Sequence, residues 1–461
     1  MNRDALSSET RRLRKPRSSQ VRPESGYGKV DKVKQKTLIL GQTLGFRADP
    51  FDADIGEAAV FERRGGVLVE NGRIAATGPA DRLLHDHPKV AVDDMGDALV
   101  TAGFIDAHTH YPQTAIIASW GKRLFDWLAA YTFPEEARFR DSAHAGRIAE
   151  RYFDLTLANG TTTVCSYCTV HPESVNAFFS AARKRGVRAI GGKTCMDRNA
   201  PDALLDTAQS AYSDSLALLE KWHGKGRLGY AITPRFSPTS TPQQLEALGA
   251  LWAEHPDCLM QTHLAEQTDE IAWVGELFPE ARDYLDTYET HGLLGRGAVY
   301  GHAIHLAPRE RDRLREAEAG LVHCPTSNTF IGSGIFDMAG LVSSGQRVGL
   351  ATDTGGGSSF SMLRTMAAAY EIGQLNGSAP HPAQLYWLAT VGSARILGID
   401  GFVGNLTPGI EADLIALDLA STPAIAQRAA RAETIWEALF PTIMMGDDRA
   451  ITKVWIAGHP L

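Results

Sequence analysis

The chain has 461 residues, of which 44% are hydrophobic and 22% are charged, and its formal net charge is −8. This composition is typical of a soluble globular protein, and the length exceeds that of one small domain. The sequence contains no long apolar run, and its basic N-terminus lacks an apolar segment, so we expect neither a membrane span nor a secretory signal.

Residues 1–36 form a basic segment, with 11 Lys or Arg against 4 Asp or Glu, which leaves −15 for the remainder. The segment is rich in Arg and Ser and nearly free of large apolar residues, so we expect a disordered tail. A nucleic-acid-binding arm is the alternative for this segment. Nothing else in the chain resembles a basic binding face, and we expect no nucleic-acid partner.

The chain contains five cysteines, an odd and sparse number that favours free thiols in a reducing compartment, the cytoplasm. Cys165 and Cys168 have the spacing of half a zinc knuckle, but no second pair completes it. We therefore assign both to a strand and the core.

Short strands broken by turns are predicted over residues 37–99. One strand starts at 36–40, and the runs 66–70 and 73–76 flank Asn71-Gly72, a dipeptide typical of a two-residue hairpin turn. Similar strands return near the end of the chain, at 412–417 and 452–457. Neither end has enough apolar residues for its own core, so we predict that residues 37–99 and 401–461 pair into one small β-sandwich domain.

Strand-like runs alternate with helical stretches between residues 100 and 400. Helical periodicity covers, for example, residues 143–157, 201–222 and 241–252. The eight strand-like runs are 100–110, 161–165, 187–191, 228–232, 259–263, 298–302, 321–324 and 348–352. Eight such repeats predict an α/β fold, a (β/α)8 TIM-like barrel, whose active sites lie at the carboxyl ends of the strands.

The first of these runs ends in His108 and His110. Alternate residues of a strand share a face, so both imidazoles point the same way and can bind one metal ion, for which we predict zinc. An isolated pair of this spacing is more often on the surface, and His85 and His87 have the same spacing. That second pair follows a short helical segment and precedes Pro88, so we assign it no role.

Further residues of the metal-binding type follow three later strands. His263 ends the fifth strand, His302 ends the sixth, and Asp353 follows the eighth. One such residue alone is usually structural, but five on four strand ends favour a site for one divalent ion with a free position for water. Such an ion lowers the pKa of its bound water from about 15.7 toward about 7 and generates hydroxide.

Glu266 lies three residues beyond His263. At that distance its carboxyl group can move a proton between the water and a substrate atom. The alternative is that Glu266 is a glutamate in the first turn of the next helix.

Three other patterns imitate known sites. The run Gly191-Gly192-Lys193-Thr194 resembles the end of a phosphate loop, but the earlier glycine is one residue out of register. The run His171-Pro172-Glu173 matches part of one zinc deaminase motif, but the P-C-x-x-C half is absent. Lys193 could bridge two metals as a carbamate, but it ends the third predicted strand, far from the histidines in sequence. We predict a single ion.

The placement of the histidines and Asp353, with a β-domain built from both termini, resembles the amidohydrolase superfamily over about residues 37–461. Four separated motifs extend the resemblance to the guanine deaminase family. They are His110-Tyr111-Pro112-Gln113, Asp126-Trp127-Leu128 with Tyr131-Thr132-Phe133-Pro134-Glu135, Pro234-Arg235-Phe236, and Cys324-Pro325-Thr326-Ser327-Asn328 with Phe330 and Gly332-Ser333-Gly334.

This resemblance implies hydrolytic, zinc-dependent deamination of guanine to xanthine and ammonia. It implies that Glu266 protonates N3 of the purine, that Asp353 takes a proton from the attacking hydroxide, and that His302 orients the metal-bound water. It also implies one zinc ion per chain, bound by His108, His110, His263 and Asp353. We further expect a homodimer.

The resemblance also implies that Gln113, Arg235 and Phe236 hold the purine. From the residues alone, Gln113 and Arg235 are polar residues in loops after the first and fourth strands. Two other functions remain open at this point. One is a deaminase of another purine, a pterin or a triazine, because pocket side chains alone separate these activities. The other is a non-catalytic assembly protein that has lost the metal, against which the intact ligand set counts.

Overall fold

The computed structural model describes residues 36–121 and 123–461. The predicted disordered tail lies outside the described residues, except for Lys36, which begins the first strand. The strands, in chain order, are β1 (Lys36–Phe46), β2 (Ala59–Glu70), β3 (Arg73–Pro79), β4 (Ala91–Ala102), β5 (Phe104–His110), β6 (Thr161–Tyr167), β7 (Arg188–Gly192), β8 (Thr194–Cys195), β9 (Leu228–Pro234), β10 (Leu259–Leu264), β11 (Ala298–His302), β12 (Gly320–His323), β13 (Arg347–Leu350), β14 (Leu414–Leu417), β15 (Ile451–Ile456) and β16 (His459–Pro460).

Helices fill most of the connections between these strands. They are α1 (Ile55–Ala58), α2 (Ala80–Asp86), α3 (Leu124–Trp127), α4 (Phe133–Glu136), α5 (Ser142–Ala158), α6 (Pro172–Arg185), α7 (Ala208–Trp222), α8 (Pro242–Glu254), α9 (Thr268–Leu277), α10 (Tyr284–Glu289), α11 (Pro308–Glu316), α12 (Pro325–Phe330), α13 (Met338–Ser343), α14 (Met362–Leu375), α15 (Pro382–Trp387), α16 (Ser393–Ile396), α17 (Pro423–Ala429) and α18 (Ile435–Met445). Among the described residues, no helix is both long and apolar enough to cross a membrane.

The two ends of the described chain share one mixed sheet. Its strand order is β16-β15-β14-β4-β1-β2-β3, with β4 parallel to β1 and antiparallel to β14. Apolar side chains from both ends, including Ile39, Val67, Val100, Leu414 and Trp455, pack into one buried cluster. The predicted pairing of the two termini is confirmed. Strands from both ends lie in one mixed sheet.

The predicted (β/α)8 barrel is confirmed. Parallel pairing runs in the order β5-β6-β7-β9-β10-β11-β12-β13, and the short β8 also pairs with β9. Two backbone hydrogen bonds join the residues after β13 to β5: the amide of Asp353 donates to the carbonyl of His108 at 3.0 Å, and the amide of His110 donates to the carbonyl of Thr354 at 2.7 Å. These contacts between the last and first strands lie at the residues that carry the predicted site.

The run 100–110, predicted as one strand, is two strands in different sheets. Strand β4 ends in the mixed sheet at Ala102, and β5 begins in the barrel at Phe104. Between them, Gly103 packs so closely that an added Cβ would lie 2.2 Å from Thr162 Oγ1. The sequence pattern could not show this break because the residues on both sides of it are buried.

The helix predicted over 201–222 begins later than expected. It is α7, and Thr207 caps it by a reciprocal capping box with Ser210. The predicted helices over 143–157 and 241–252 correspond to α5 and α8. The five cysteines are buried and free, which agrees with the assignment of Cys165 and Cys168 to the core.

Candidate active site

Five predicted site residues from four strand ends meet at one end of the barrel. The Nε2 atoms of His108 and His110, on β5, each lie 3.5 Å from Oδ1 of Asp353, which follows β13. Nε2 of His110 also lies 3.2 Å from Nε2 of His263, near the end of β10. His302, at the end of β11, faces the same space, with Nε2 3.8 Å from Oδ2 of Asp353. All five residues are buried.

Hydrogen bonds behind the rings fix the direction in which two of the imidazoles point. Nδ1 of His263 donates to the carbonyl of Arg235 at 2.8 Å, so Nε2 faces the cluster without a hydrogen. Nδ1 of His302 lies 2.9 Å from Oδ1 of Asn328, which can only accept, so Nε2 of His302 is turned toward the carboxylates.

The electrostatics of the cluster favour a bound cation. Burial lowers the pKa of His108 well below its usual value, and the neighbouring His263 and His302 lower it further. Burial and neighbouring imidazoles do the same for the pKa of His110 and of His263, so these rings are neutral and keep a lone pair. Burial raises the pKa of Asp353 to about 6, although His302 opposes this. A cation among these groups would stabilise the carboxylate and use the lone pairs.

Two atoms of the cluster have no hydrogen-bond partner among the described residues: His108 Nε2 and Asp353 Oδ1. Buried polar atoms are normally paired, so an unpaired imidazole nitrogen facing an unpaired carboxylate oxygen fits a pair of metal ligands. The ligand atoms of His108, His110 and Asp353 lie within 4.8 Å of one another, as do those of His108, His263 and His302. Imidazole and carboxylate donors at this spacing fit one divalent ion of the zinc type.

The backbone is strained where it presents these side chains. His302 has a φ of 67° and Asp353 a φ of 48°, both in the left-handed region that side chains other than glycine rarely adopt. Ala265, between His263 and Glu266, has a φ of 48°. Such conformations cost about 1–3 kcal/mol each and occur mostly at functional sites. Here they turn the chain at three strand ends so that the side chains converge.

Asp106 supports the site from within β5, and the sequence analysis missed it. Its carboxylate accepts hydrogen bonds from the backbone and the hydroxyl of Thr352, directly before Asp353. Burial raises the pKa of Asp106 to about 7. The available signal was an acidic residue within a strand that the sequence predicts to be buried.

Glu266 lies before the helix that follows β10, so the alternative of a first-turn glutamate is wrong. Helix α9 begins at Thr268 with Gln267 as its N-cap, and the capping glutamate is Glu270. Glu266 is buried, and its Oε2 lies 3.6 Å from Nε2 of His302. Its Oε1 accepts a hydrogen bond of 2.7 Å from the hydroxyl of Ser333. The carboxyl group therefore faces the metal-type cluster.

Ser333 and Glu270 both hold the Glu266 segment, and the sequence analysis gave neither of them a role. Glu270 accepts from the backbone amides of Glu266 and Gln267 at 2.9 and 3.0 Å. Burial and, to a smaller extent, the neighbouring Glu266 raise the pKa of Glu270 to about 7. Ser333 belongs to one of the four quoted motifs, so the motif was noticed without the contact that it makes.

Four residues of the cluster, His110, His263, His302 and Asp353, line one pocket. Gln113, Arg235 and Phe236 line it together with Glu266. Its remaining wall is largely apolar and includes Leu124, Trp127, Leu128 and Ile331, which pack as a cluster over the site. The pocket therefore combines the reactive groups with the three predicted substrate contacts.

Glu136 forms hydrogen bonds to two of the predicted substrate contacts, Gln113 and Arg235. The sequence analysis gave it no role, although one of the quoted motifs ends at the preceding residue. The carboxylate of Glu136 accepts from Nε2 of Gln113 at 2.9 Å and from Nη1 of Arg235 at 2.7 Å. Phe236 is buried, and its ring centroid lies 6.4 Å from that of His263. Phe236 therefore contributes an apolar face beside the cluster.

The patterns set aside in the sequence have structural explanations. His85 is exposed in the last turn of α2, as expected for a helix end. Lys193 is buried and forms an ion pair with Asp206, so its amine is already engaged. His171 is the N-cap residue of α6. Lys193 and Thr194 lead from β7 into β8, so the glycine-rich run opens no helix that could bind a phosphate.

Comparison with known proteins places the chain among metal-dependent hydrolases. Residues 99–461 match the amidohydrolase family. A guanine deaminase of Escherichia coli is 41% identical over 407 residues, which cover 88% of this chain and 93% of that protein. The structure of an E. coli guanine deaminase superposes with a TM-score of 0.90 at 39% identity, covering 92% of this chain and 99% of that one. A C. acetobutylicum guanine deaminase with guanine in its active site has a TM-score of 0.84 at 26% identity, with coverages of 92% and 100%.

Proposed function

The chain belongs to the amidohydrolase family, and we propose that it is a zinc-dependent guanine deaminase that converts guanine and water into xanthine and ammonia. The observation that carries this conclusion is the placement of the pocket. Four residues of the metal-type cluster, Glu266, Gln113 and Arg235 all line one pocket; the cluster residues are His110, His263, His302 and Asp353. This placement agrees with the 41% identity to the E. coli guanine deaminase over most of both chains.

One zinc ion per chain is proposed to bind His108, His110, His263 and Asp353. The unpaired atoms of His108 and Asp353 and the neutral rings of the three histidines support this set. When bound, the ion acts as a Lewis acid that brings the pKa of a coordinated water toward about 7.

The acid–base steps are assigned to residues that face this cluster. Asp353 accepts the proton that the attacking water loses, and His302 orients that water through Nε2. Glu266 protonates N3 of the purine, which makes C2 a better electrophile. A bond from the water oxygen to C2 then forms, and the exocyclic amino group takes the proton held by Asp353. The bond from C2 to that nitrogen breaks and ammonia leaves. The hydroxyl proton at C2 returns to Glu266, which leaves the C2 carbonyl of xanthine.

The remaining polar groups hold the purine so that C2 faces the cluster. Arg235 can donate to the carbonyl oxygen at C6, and Gln113 can pair with a ring nitrogen. Phe236 offers an apolar face to the ring. A buried polar pocket of this kind discriminates strongly against analogues that leave its groups unpaired.

The experiment that tests the function is the measurement of xanthine and ammonia formed from guanine, with and without a chelator. We expect activity that the chelator abolishes and that added zinc restores. Other purines, pterins and triazines are assayed in parallel, and faster ammonia release from one of them would favour the alternative deaminase. A purified protein without bound metal and without turnover would favour the non-catalytic alternative.

We also propose a homodimer in the cytoplasm. The five free, buried thiols agree with a reducing compartment. Light scattering of the purified protein tests the dimer, and a mass equal to one chain would contradict it. Fractionation of the producing cells tests the location.

A further inference from the structure

Glu136 is a buried carboxylate between two of the proposed substrate contacts. It ends α4, is 1% exposed, and uses one oxygen for Gln113 and the other for Arg235. We propose that Glu136 is a positioning residue that sets the hydrogen-bonding pattern of the pocket and thereby its preference for a 6-oxo over a 6-amino purine. This inference rests on the proposed function and adds the origin of its substrate selectivity.

Glu136 determines which end of the Gln113 amide faces the pocket. An ionised carboxylate only accepts hydrogen bonds, so the amide must turn its NH2 group toward Glu136. The other end, Oε1, is then buried without a partner among the described residues. It lies against Gly355, where an added Cβ would be 3.1 Å from it. Gln113 therefore presents an acceptor.

Glu136 fixes Arg235 at the same time. The guanidinium donates through Nη1 to the carboxylate, and its Cζ lies 5.6 Å from the centroid of the Phe133 ring. Arginine carries donors only, so its remaining N–H groups present donors to the pocket. Because the backbone carbonyl of Arg235 also holds the ring of His263, this donor group is tied to the metal-type cluster.

The resulting pattern, a donor beside an acceptor, complements the edge of a 6-oxo purine. Such a purine has a carbonyl acceptor at C6 next to an N–H donor at N1. In a 6-amino purine the order is reversed, with an NH2 donor at C6 and an acceptor nitrogen at N1. Arg235 would then face the amino group with donors alone. A site whose buried polar groups are left unpaired rejects such an analogue strongly.

The test is Glu136→Gln, assayed with guanine and with 2,6-diaminopurine, which share the 2-amino group and differ at C6. The substituted amide can donate as well as accept, so Gln113 is free to turn over and present its NH2 group. We expect kcat/KM for guanine to fall roughly 100-fold, mainly through KM, because Arg235 loses its charged partner. The preference for guanine over 2,6-diaminopurine, counted as loss of the amino group at C2 by chromatography of the products, should fall at least about 10-fold.

Glu135→Gln is the matched control. Glu135 is the preceding residue in α4 and is also buried, but its carboxylate pairs with His144 and Arg138 outside the pocket. The Glu135→Gln variant should keep the preference for guanine over 2,6-diaminopurine within about threefold of that of the unmodified protein. If Glu136→Gln does not accumulate as folded protein, Glu136→Asp replaces it. Its shorter side chain cannot reach both partners, so the preference should fall at least about threefold.

Bound metal is measured in every variant and should stay unchanged. Equal losses for both purines in Glu136→Gln, with the preference retained, would overturn the inference, and so would an equal loss of preference in Glu135→Gln. If the unmodified protein did not deaminate guanine, the proposed function would fail instead, and the two failures are therefore distinct.

Discussion

Replacement of Glu266 by Gln should separate substrate binding from chemistry. The amide keeps the size of the side chain and an oxygen that can still accept from the hydroxyl of Ser333, at 2.7 Å in the present structure. It cannot exchange a proton near neutral pH. General acid–base catalysis contributes about 10²–10⁴-fold, so kcat should fall by that factor, which corresponds to about 2.7–5.4 kcal/mol in activation free energy.

The same variant should leave metal binding and folding nearly unchanged. The Oε2 atom of Glu266 lies 3.6 Å from His302, outside the proposed ligand set. Glu266 also precedes the N-cap of α9, so no helix-terminal stabilisation depends on its charge. Bound metal and the affinity for xanthine should therefore change far less than kcat.

The assay is xanthine formation under saturating guanine, with metal content measured on the same samples. Glu276→Gln, an exposed position on α9, serves as the control and should keep the normal rate. A Glu266→Gln enzyme with near-normal kcat would refute the assignment of Glu266 as the proton donor to N3. Loss of metal in this variant would instead place Glu266 among the ligands.

Three further predictions follow from the site and its surroundings. His108→Ala, His110→Ala, His263→Ala and Asp353→Ala should each lower metal content and abolish activity, whereas His85→Ala should be silent; full zinc occupancy in His263→Ala by elemental analysis would contradict the ligand set. Ser333→Ala should lower kcat about tenfold, or about 1.4 kcal/mol, with normal metal content, because a hydrogen bond contributes about 0.5–1.5 kcal/mol; an unchanged kcat would show that Ser333 does not hold Glu266 in place. Lys193→Ala should lower the free energy of unfolding by about 3–5 kcal/mol, since it leaves Asp206 buried without its partner; loss of metal from a fully folded variant would revive the carbamate alternative.

Local patterns identified much of this protein without the structure. Alternation within β5 placed His108 and His110 on one face, because side-chain direction in a strand repeats every two residues. Repetition of strand and helix predicted the barrel, and the barrel predicts that strand ends meet. Those two rules sufficed to group His263, His302 and Asp353 with the first pair.

Hydrogen bonds between segments that are distant in sequence could not be predicted from strand alternation or from the strand–helix repeat. The hydrogen bonds of Glu136 to Gln113 and Arg235, at sequence separations of 23 and 99 residues, depend on how the short helices between β5 and α5 pack over the barrel. The arrangement of these helices is set by packing between segments, which the periodicity within each one does not predict. The break at Gly103 was hidden because the residues on both sides of it, 99–102 and 104–110, are buried and read as one continuous strand.

Short-range periodicity is enough to predict the fold class and the residue types at the strand ends. Which atoms of those residues face each other depends on contacts between distant segments, which the structure shows. The backbone carbonyl of Arg235 orients the ring of His263, and the hydroxyl of Ser333 holds the carboxyl group of Glu266. Oε1 of Gln113 is buried without a partner among the described residues. Chemistry at this site depends on the direction of single hydrogen bonds, and that direction is fixed only when segments far apart in the chain pack together.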